Sequence, residues 1–357
     1  MQCVSPKRNT AQLLPCCGRP RKLVTRSNTQ TSLSRSISKL ANQSHPVRGY
    51  LYIATATLFW GISATLGRAA FTGRLHPGGH TLGFIDPLIL AQTRTTFSFA
   101  VLFLILVPRR GWKKLRLPGA DFVRVMELGV LGVAASNYFY YLAIQKTNVA
   151  TAIIIQYTAP VWVLLYMVLR GFQKPTLQRL AGVALAISGI AMVIGIFGAG
   201  GLRLNAVGVI AALVAAFSFS FYNVAGHGIL ARYDRWTILL YTTFAAALFW
   251  LLVNPPGRII AAHYSGGQWA FLFVFSLLSV LAPFSFYFSG LQHLEPTRAI
   301  IVSCLEPVFS IVIAAVVLGE VLRPLQTVGI LMVLAAILVV QMPERNSEKT
   351  VFVEPLE

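Results

Sequence analysis

Charge is scarce in this chain of 357 residues: only 11% are Asp, Glu, Lys or Arg, against about 25% in a soluble globular domain. Together with an apolar fraction of 56%, that shortage excludes the two soluble domains this length would otherwise suggest. Cysteine is nearly absent as well. Cys3, Cys16 and Cys17 fall in a polar head segment and Cys304 stands alone in an apolar run, so there is neither a disulfide framework nor a metal-ligand spacing with His partners. No Walker loop or other phosphate-cradling motif occurs, which leaves ATP-driven chemistry unsupported, and no cofactor is expected. The histidines His76, His80, His227, His263 and His293 fall in loops or near the ends of apolar runs. One acid, Glu306, lies deep in such a run, too little for the convergent groups that an enzyme embedded in a membrane needs.

Acids are the scarcer sign of charge, 11 against 30 Lys and Arg, for a net charge of +19. In a soluble protein that excess would point to nucleic acid; here its distribution points elsewhere. Residues 1–48 hold Lys7, Arg8, Arg19, Arg21, Lys22, Arg26, Arg35, Lys39 and Arg48, many Ser and Thr, and no acid. Such a segment has too little apolar surface to offset the entropy of ordering and reads as a disordered tail. Three origins remain open for it: a cytoplasmic tail, an organellar transit peptide, or an over-extended start, although no Met lies between Met1 and Met126.

From Tyr50 onward the chain is a series of apolar runs near 20 residues long, the length a helix needs to cross about 30 Å of hydrocarbon. Ten are expected, near 50–71, 86–107, 123–144, 149–169, 176–197, 204–226, 236–253, 268–291, 297–318 and 324–342. Loops assigned to the side of the amino terminus receive most of the Lys and Arg, while the other side receives Arg68, Arg74, Lys146, Arg203, Arg258 and Arg323. By the rule that positive loops stay inside, both termini are expected in the cytoplasm.

The chain also repeats itself. Thr95-Thr96-Phe97 recurs as Thr242-Thr243-Phe244, Tyr140 as Tyr287, Gln145 as Gln292, Ala152-Ile153-Ile154 as Ala299-Ile300-Ile301, Pro160 as Pro307 and Gly182 as Gly329, always at an offset of 147. An insertion around His76 to Phe84 breaks the register in the first half. The expected domains are therefore a tail at 1–48, five-helix repeats at 50–197 and 204–342, and a short tail at 343–357. With five helices per half, the second half enters the bilayer from the opposite side, an inverted-topology repeat suited to alternating access.

Several side chains in these runs carry chemistry. A buried acid such as Glu306 is costly unless protonated or paired, so it is a candidate for binding a proton or a cationic group, or else it bonds backbone freed by Pro307. Arg94 stays charged and needs an anionic or carbonyl partner, so it either holds a substrate carboxylate or caps a broken helix. Its repeat mate is the uncharged Tyr241. Pro160 and Pro307 each remove a helical hydrogen bond, freeing the carbonyls of Gln156 and Ser303 and kinking the fourth and ninth helices. Trp60, Asn137, Tyr138, Tyr141, Gln156, Tyr157, Tyr222, Asn223, Phe284 and Tyr287 are expected to gather around a central cavity, where rings stack and polar tips bond an amphipathic substrate. Gly208, Ala212, Ala216 and Ser220 form a close-packing face on the sixth helix, toward either the other half or a second subunit.

The Trp60-Gly61 pair, Arg94, Glu306-Pro307 and Leu318-Gly319-Glu320, set in this repeat, resemble the EamA branch of the drug/metabolite transporter superfamily over residues 50–342. The first half departs from the pattern, with Phe172-Gln173 where the second has Gly319-Glu320. The resemblance implies an all-α membrane protein that exports small metabolites, amino acids or drugs as a gradient-driven carrier in a plasma membrane, monomeric or homodimeric. If the tail is a transit peptide, an organellar envelope is the alternative location. Protons are candidate coupling ions, no nucleic-acid partner is expected, and a membrane-embedded enzyme or a non-transporting scaffold or receptor is the alternative function.

Overall fold

In hydrocarbon the backbone has no water to bond, so apolar runs of this length satisfy their donors as helices. The computed structural model describes residues 45–71, 83–147, 149–195, 205–318 and 323–342, and among these every regular element is a helix. In chain order they are α1 (Pro46–Phe71), α2 (Pro87–Arg110), α3 (119–146), α4a (Val149–Gln156), α4b (Ala159–Leu169) and α5 (Leu177–Ile194). The second half contributes α6 (Ala206–Leu230), α7 (Arg235–Val253), α8 (Gly266–Leu291), α9a (Pro296–Ser303), α9b (Leu305–Leu318) and α10 (Pro324–Gln341). The basic head through residue 44, most of the His76 to Phe84 insertion, Gly319-Glu320 and the 343–357 tail lie outside the described residues.

Eight of these helical segments are long and apolar enough to cross a membrane. The remaining two, α1 and α3, carry more polar side chains but pack into the same bundle. Large apolar side chains such as Leu104, Leu252 and Val316 are 70–79% exposed, an outward surface that only lipid tails solvate well. Local sequence sets the starts. Asp86 caps α2 by accepting from the amides of Leu88 and Ile89 at 2.8 and 3.2 Å, and Asp234 does the same for α7. Each such cap contributes about 1 kcal/mol.

Both prolines singled out in the sequence do more than kink. Pro160 lies in the first turn of a new helix, α4b, after an interruption at Tyr157–Thr158, and Pro307 lies in the first turn of α9b after an interruption at Cys304. At each break the chain tightens to an i→i−3 bond, Thr158 to Ile155 and Cys304 to Ile301, both 3.1 Å. Proline cannot donate to the preceding turn, so the ladder restarts. Tyr157 and Cys304 are 147 residues apart, as are Pro160 and Pro307. Widened π-helical turns also fall at matching places, Leu128–Ala134 in α3 and Leu277–Leu281 in α8.

Contacts between the halves are reciprocal. On one side, α1 packs on α8 and α9, and α6 packs on α3 and α4; α2 meets α8, and α7 meets α3; α5 crosses α10. Helix association in lipid relies on close packing, because hydrocarbon tails are as apolar as leucine. At the α5–α10 crossing a Cβ on Gly189 would lie 2.8 Å from the Gly329 carbonyl, and one on Gly329 would lie 2.6 Å from that of Gly189. The small-residue face of α6 is spent within the chain. A Cβ on Gly208 would come within 2.4 Å of Thr147, Ala212 and Ala216 are fully buried, and Ser220 donates to the Ala159 carbonyl at 3.2 Å.

Candidate functional site

The two helix breaks meet. Tyr157, at the interruption of α4, donates its hydroxyl to Oε2 of Glu306 at 2.9 Å. Glu306 stands in the first turn of α9b, where the unpaired amides of the helix start favour a negative charge by about 0.3–1 kcal/mol. The acid is thus held by a helix terminus and one hydroxyl. Within 4 Å no cation pairs with it among the described residues.

Arg94, eight residues into α2, donates to Oδ1 of Asn137 on α3. Asn137 is oriented in turn by its amide, which donates to the Val133 carbonyl at 2.7 Å in the widened turn. Nε of Arg94 is buried without a partner, and no backbone carbonyl accepts from this guanidinium among the described residues.

An aromatic cluster joins α1, α6 and α8. The Trp60 ring lies 5.4 Å from Phe284 and 5.2 Å from Tyr287, and Tyr222 lies 5.7 and 5.9 Å from the same two rings. The Tyr287 hydroxyl donates to Oδ1 of Asn223, while Ser303, the residue before the α9 break, donates to the Ile300 carbonyl at 2.7 Å. Asn223 is fixed by donating to the Phe219 carbonyl at 2.8 Å. The Tyr222 hydroxyl is buried with no partner. Gly132 in the widened turn of α3 permits this packing, since a Cβ there would sit 3.1 Å from that of Tyr222.

Three further expected residues have partners on α3 and α7. Tyr138 turns to α7, with its ring 6.0 Å from Phe249 and 6.2 Å from Trp250. Tyr141 packs on Tyr140, and Gln156 donates to Ser136 at 3.4 Å between α4a and α3. Tyr140, with its ring 5.8 Å from that of Tyr141, is the repeat mate of Tyr287.

A second polar group escaped the reading of single runs. Arg179, near the start of the fifth expected run, is 8% exposed in the first turn of α5, 3.4 Å from Glu295. Glu295 precedes α9a and also accepts from Gln173 at 3.0 Å, while Gln173 accepts from Thr297 at 2.8 Å. Gln173 occupies the place where the second half carries Glu320. Also unanticipated is the buried amide pair Gln92–Asn254, at 2.7 Å between α2 and the end of α7. In the loop before α7, Tyr233 donates to the carboxylate of Asp121, and that bond holds its hydroxyl above the usual tyrosine range.

Discontinuous helices whose broken ends meet at an acid, inside a bundle with an apolar exterior, define a membrane transport protein. A family profile described as the EamA-like transporter family matches residues 47–195 and 206–342, and the chain belongs to that family. It is 25% identical over 264 residues to the threonine/homoserine exporter RhtA of Escherichia coli, covering 72% of this chain and 85% of that protein. It is 21% identical over 303 residues to the uncharacterized inner membrane transporter YicL of Salmonella typhimurium, covering 84% and 97%. A solved crystal structure superposes with a TM-score of 0.67 at 19% identity, over 82% of this chain and 96% of that one, and so shares its fold. The protein is a multi-pass membrane transporter of small molecules, and its bacterial relatives are consistent with a plasma membrane.

Proposed function

We propose that this chain is a gradient-driven exporter of small polar metabolites that works by alternating access, with ten crossing helices, two inverted five-helix halves and both termini in the cytoplasm. The observation that carries this reading is the Tyr157–Glu306 bond, because it joins the equivalent breaks of the two halves. A broken helix leaves backbone groups able to bind a solute at membrane depth, and two related breaks in contact let one half rock on the other around a fixed site. Reciprocal packing of α1 on α8 and α9, and of α6 on α3 and α4, supports the exchange of roles. Glu306 is the group that takes up a proton or a cationic substrate group, and Tyr157 follows it as hydrogen-bond donor. Threonine and homoserine, the solutes in the name of RhtA, are the first to test.

Purified protein in sealed vesicles carries the test. A pH gradient should drive accumulation of a small amino acid without ATP, and Glu306→Gln should abolish the response to the gradient. Unchanged rate and pH dependence in Glu306→Gln would remove the coupling role, and no flux over a broad metabolite panel would remove the carrier itself.

A further inference from the structure

Arg94 is a cation without an anion. Its guanidinium has five donors in a planar fork, yet among the described residues it bonds only the amide oxygen of Asn137, and its Nε is buried with no partner. Among the described residues no carboxylate lies within 4 Å of it. Glu306 is bonded to Tyr157 instead. The guanidinium and the carboxyl group inside the bundle are therefore each held by a neutral partner. Leaving a buried donor of a charged group unsatisfied is costly, and an arrangement that keeps one at a transport site makes sense when the missing partner is brought by the ligand.

We propose that Arg94 is the anion-binding group of the transport site and receives a carboxylate of the substrate on the edge that Asn137 leaves free. This rests on the transport reading above. A carboxylate fits because the fork matches its two oxygens. A single positive charge also matches the single negative charge of a carboxylate. Asn137 acts as a positioning residue, since it fixes the guanidinium from the far side.

The test is binding, separate from flux. Full-length protein in a non-ionic detergent is heated with acetate, butyrate or phenylacetate, with the matching amides, and with equal chloride. The acids should raise the apparent melting temperature by about 2–4 °C at saturation, and the amides and chloride should not. Arg94→Gln should lose the rise, and Arg94→Lys should keep part of it. Should Arg94→Gln fail to purify, Asn137→Ala carries the comparison, with a smaller rise expected because the guanidinium is no longer held. Overturning results are acids that act no better than amides or chloride, or a variant whose response equals that of the parent. Carboxylate binding without vesicle flux would sink the transport reading and leave Arg94 as an anion site. Flux confined to solutes lacking a carboxyl group would sink the Arg94 assignment alone.

Discussion

Tyr157 and Glu306 are bonded at 2.9 Å across a sequence separation of 149 residues, and each stands at the broken point of its own helix. Removing only the hydroxyl tests what that bond contributes. A hydrogen bond to a charged group is worth about 1.5–3 kcal/mol, so Tyr157→Phe is expected to slow transport roughly 10- to 100-fold. Its folding, read by gel filtration and thermal melting, should be close to that of the parent. A rate within a factor of two of the parent would detach Tyr157 from the transport cycle.

The α5–α10 crossing predicts a structural rather than functional loss. A Cβ on Gly329 would lie 2.6 Å from the Gly189 carbonyl and 2.7 Å from the Val193 amide. Both obstacles are backbone and cannot swing away, so Gly329→Ala must push two helices apart. Overpacking of this kind costs about 1–3 kcal/mol, read as a lower melting temperature in detergent. The same substitution at Gly119, where a Cβ would meet nothing within 4 Å, should be almost silent.

Much of this arrangement was legible in the sequence, and the limits have physical causes. Length and hydropathy marked the apolar runs, and the 147-residue offset paired Pro160 with Pro307 and hence the two breaks. Glu306 and Arg94 stood out because charge is expensive in lipid. Their separate partners did not, since nothing in a one-dimensional pattern says that Tyr157 rather than Arg94 reaches the acid. The partners of Tyr138 were not legible either, because a π-helical turn such as Leu128–Ala134 leaves no mark in hydrophobic periodicity. Nor does the sequence show that Arg179, at the start of the fifth run, is buried; its packing against Glu295 does.

The buried amide pair offers a cleaner energetic test. Asn254 donates to Gln92 at 2.7 Å, and both are at least 98% buried. Replacing either alone by Leu strands the other amide, at a cost of about 1–3 kcal/mol. Gln92→Leu with Asn254→Leu removes both polar groups at once. Its stability should recover most of the loss, so a double-mutant cycle should give a coupling of about 1 kcal/mol or more. Simple additivity of the two losses would mean that the pair does not interact.

Glu295 joins three parts of the chain: the loop after α4b through Gln173, the start of α5 through Arg179, and α9a, which it precedes. At the far end of α9a lies Cys304, fully buried and unpaired at the helix break. Opening of the bundle on this side must loosen the Glu295 contacts before solvent reaches the break, so the thiol is a built-in reporter. With Cys3, Cys16 and Cys17 replaced by Ser, Cys304 should react slowly with a small maleimide. Glu295→Ala should raise that rate about 10-fold, equivalent to roughly 1.4 kcal/mol of shifted opening equilibrium, a modest figure in keeping with a carboxylate that is 49% exposed. Asp121→Asn, in the separate cluster with Arg124 and Arg232, is the control and should leave the rate unchanged. Equal labelling in the parent and Glu295→Ala would show that these contacts fasten the fold without governing access to the break.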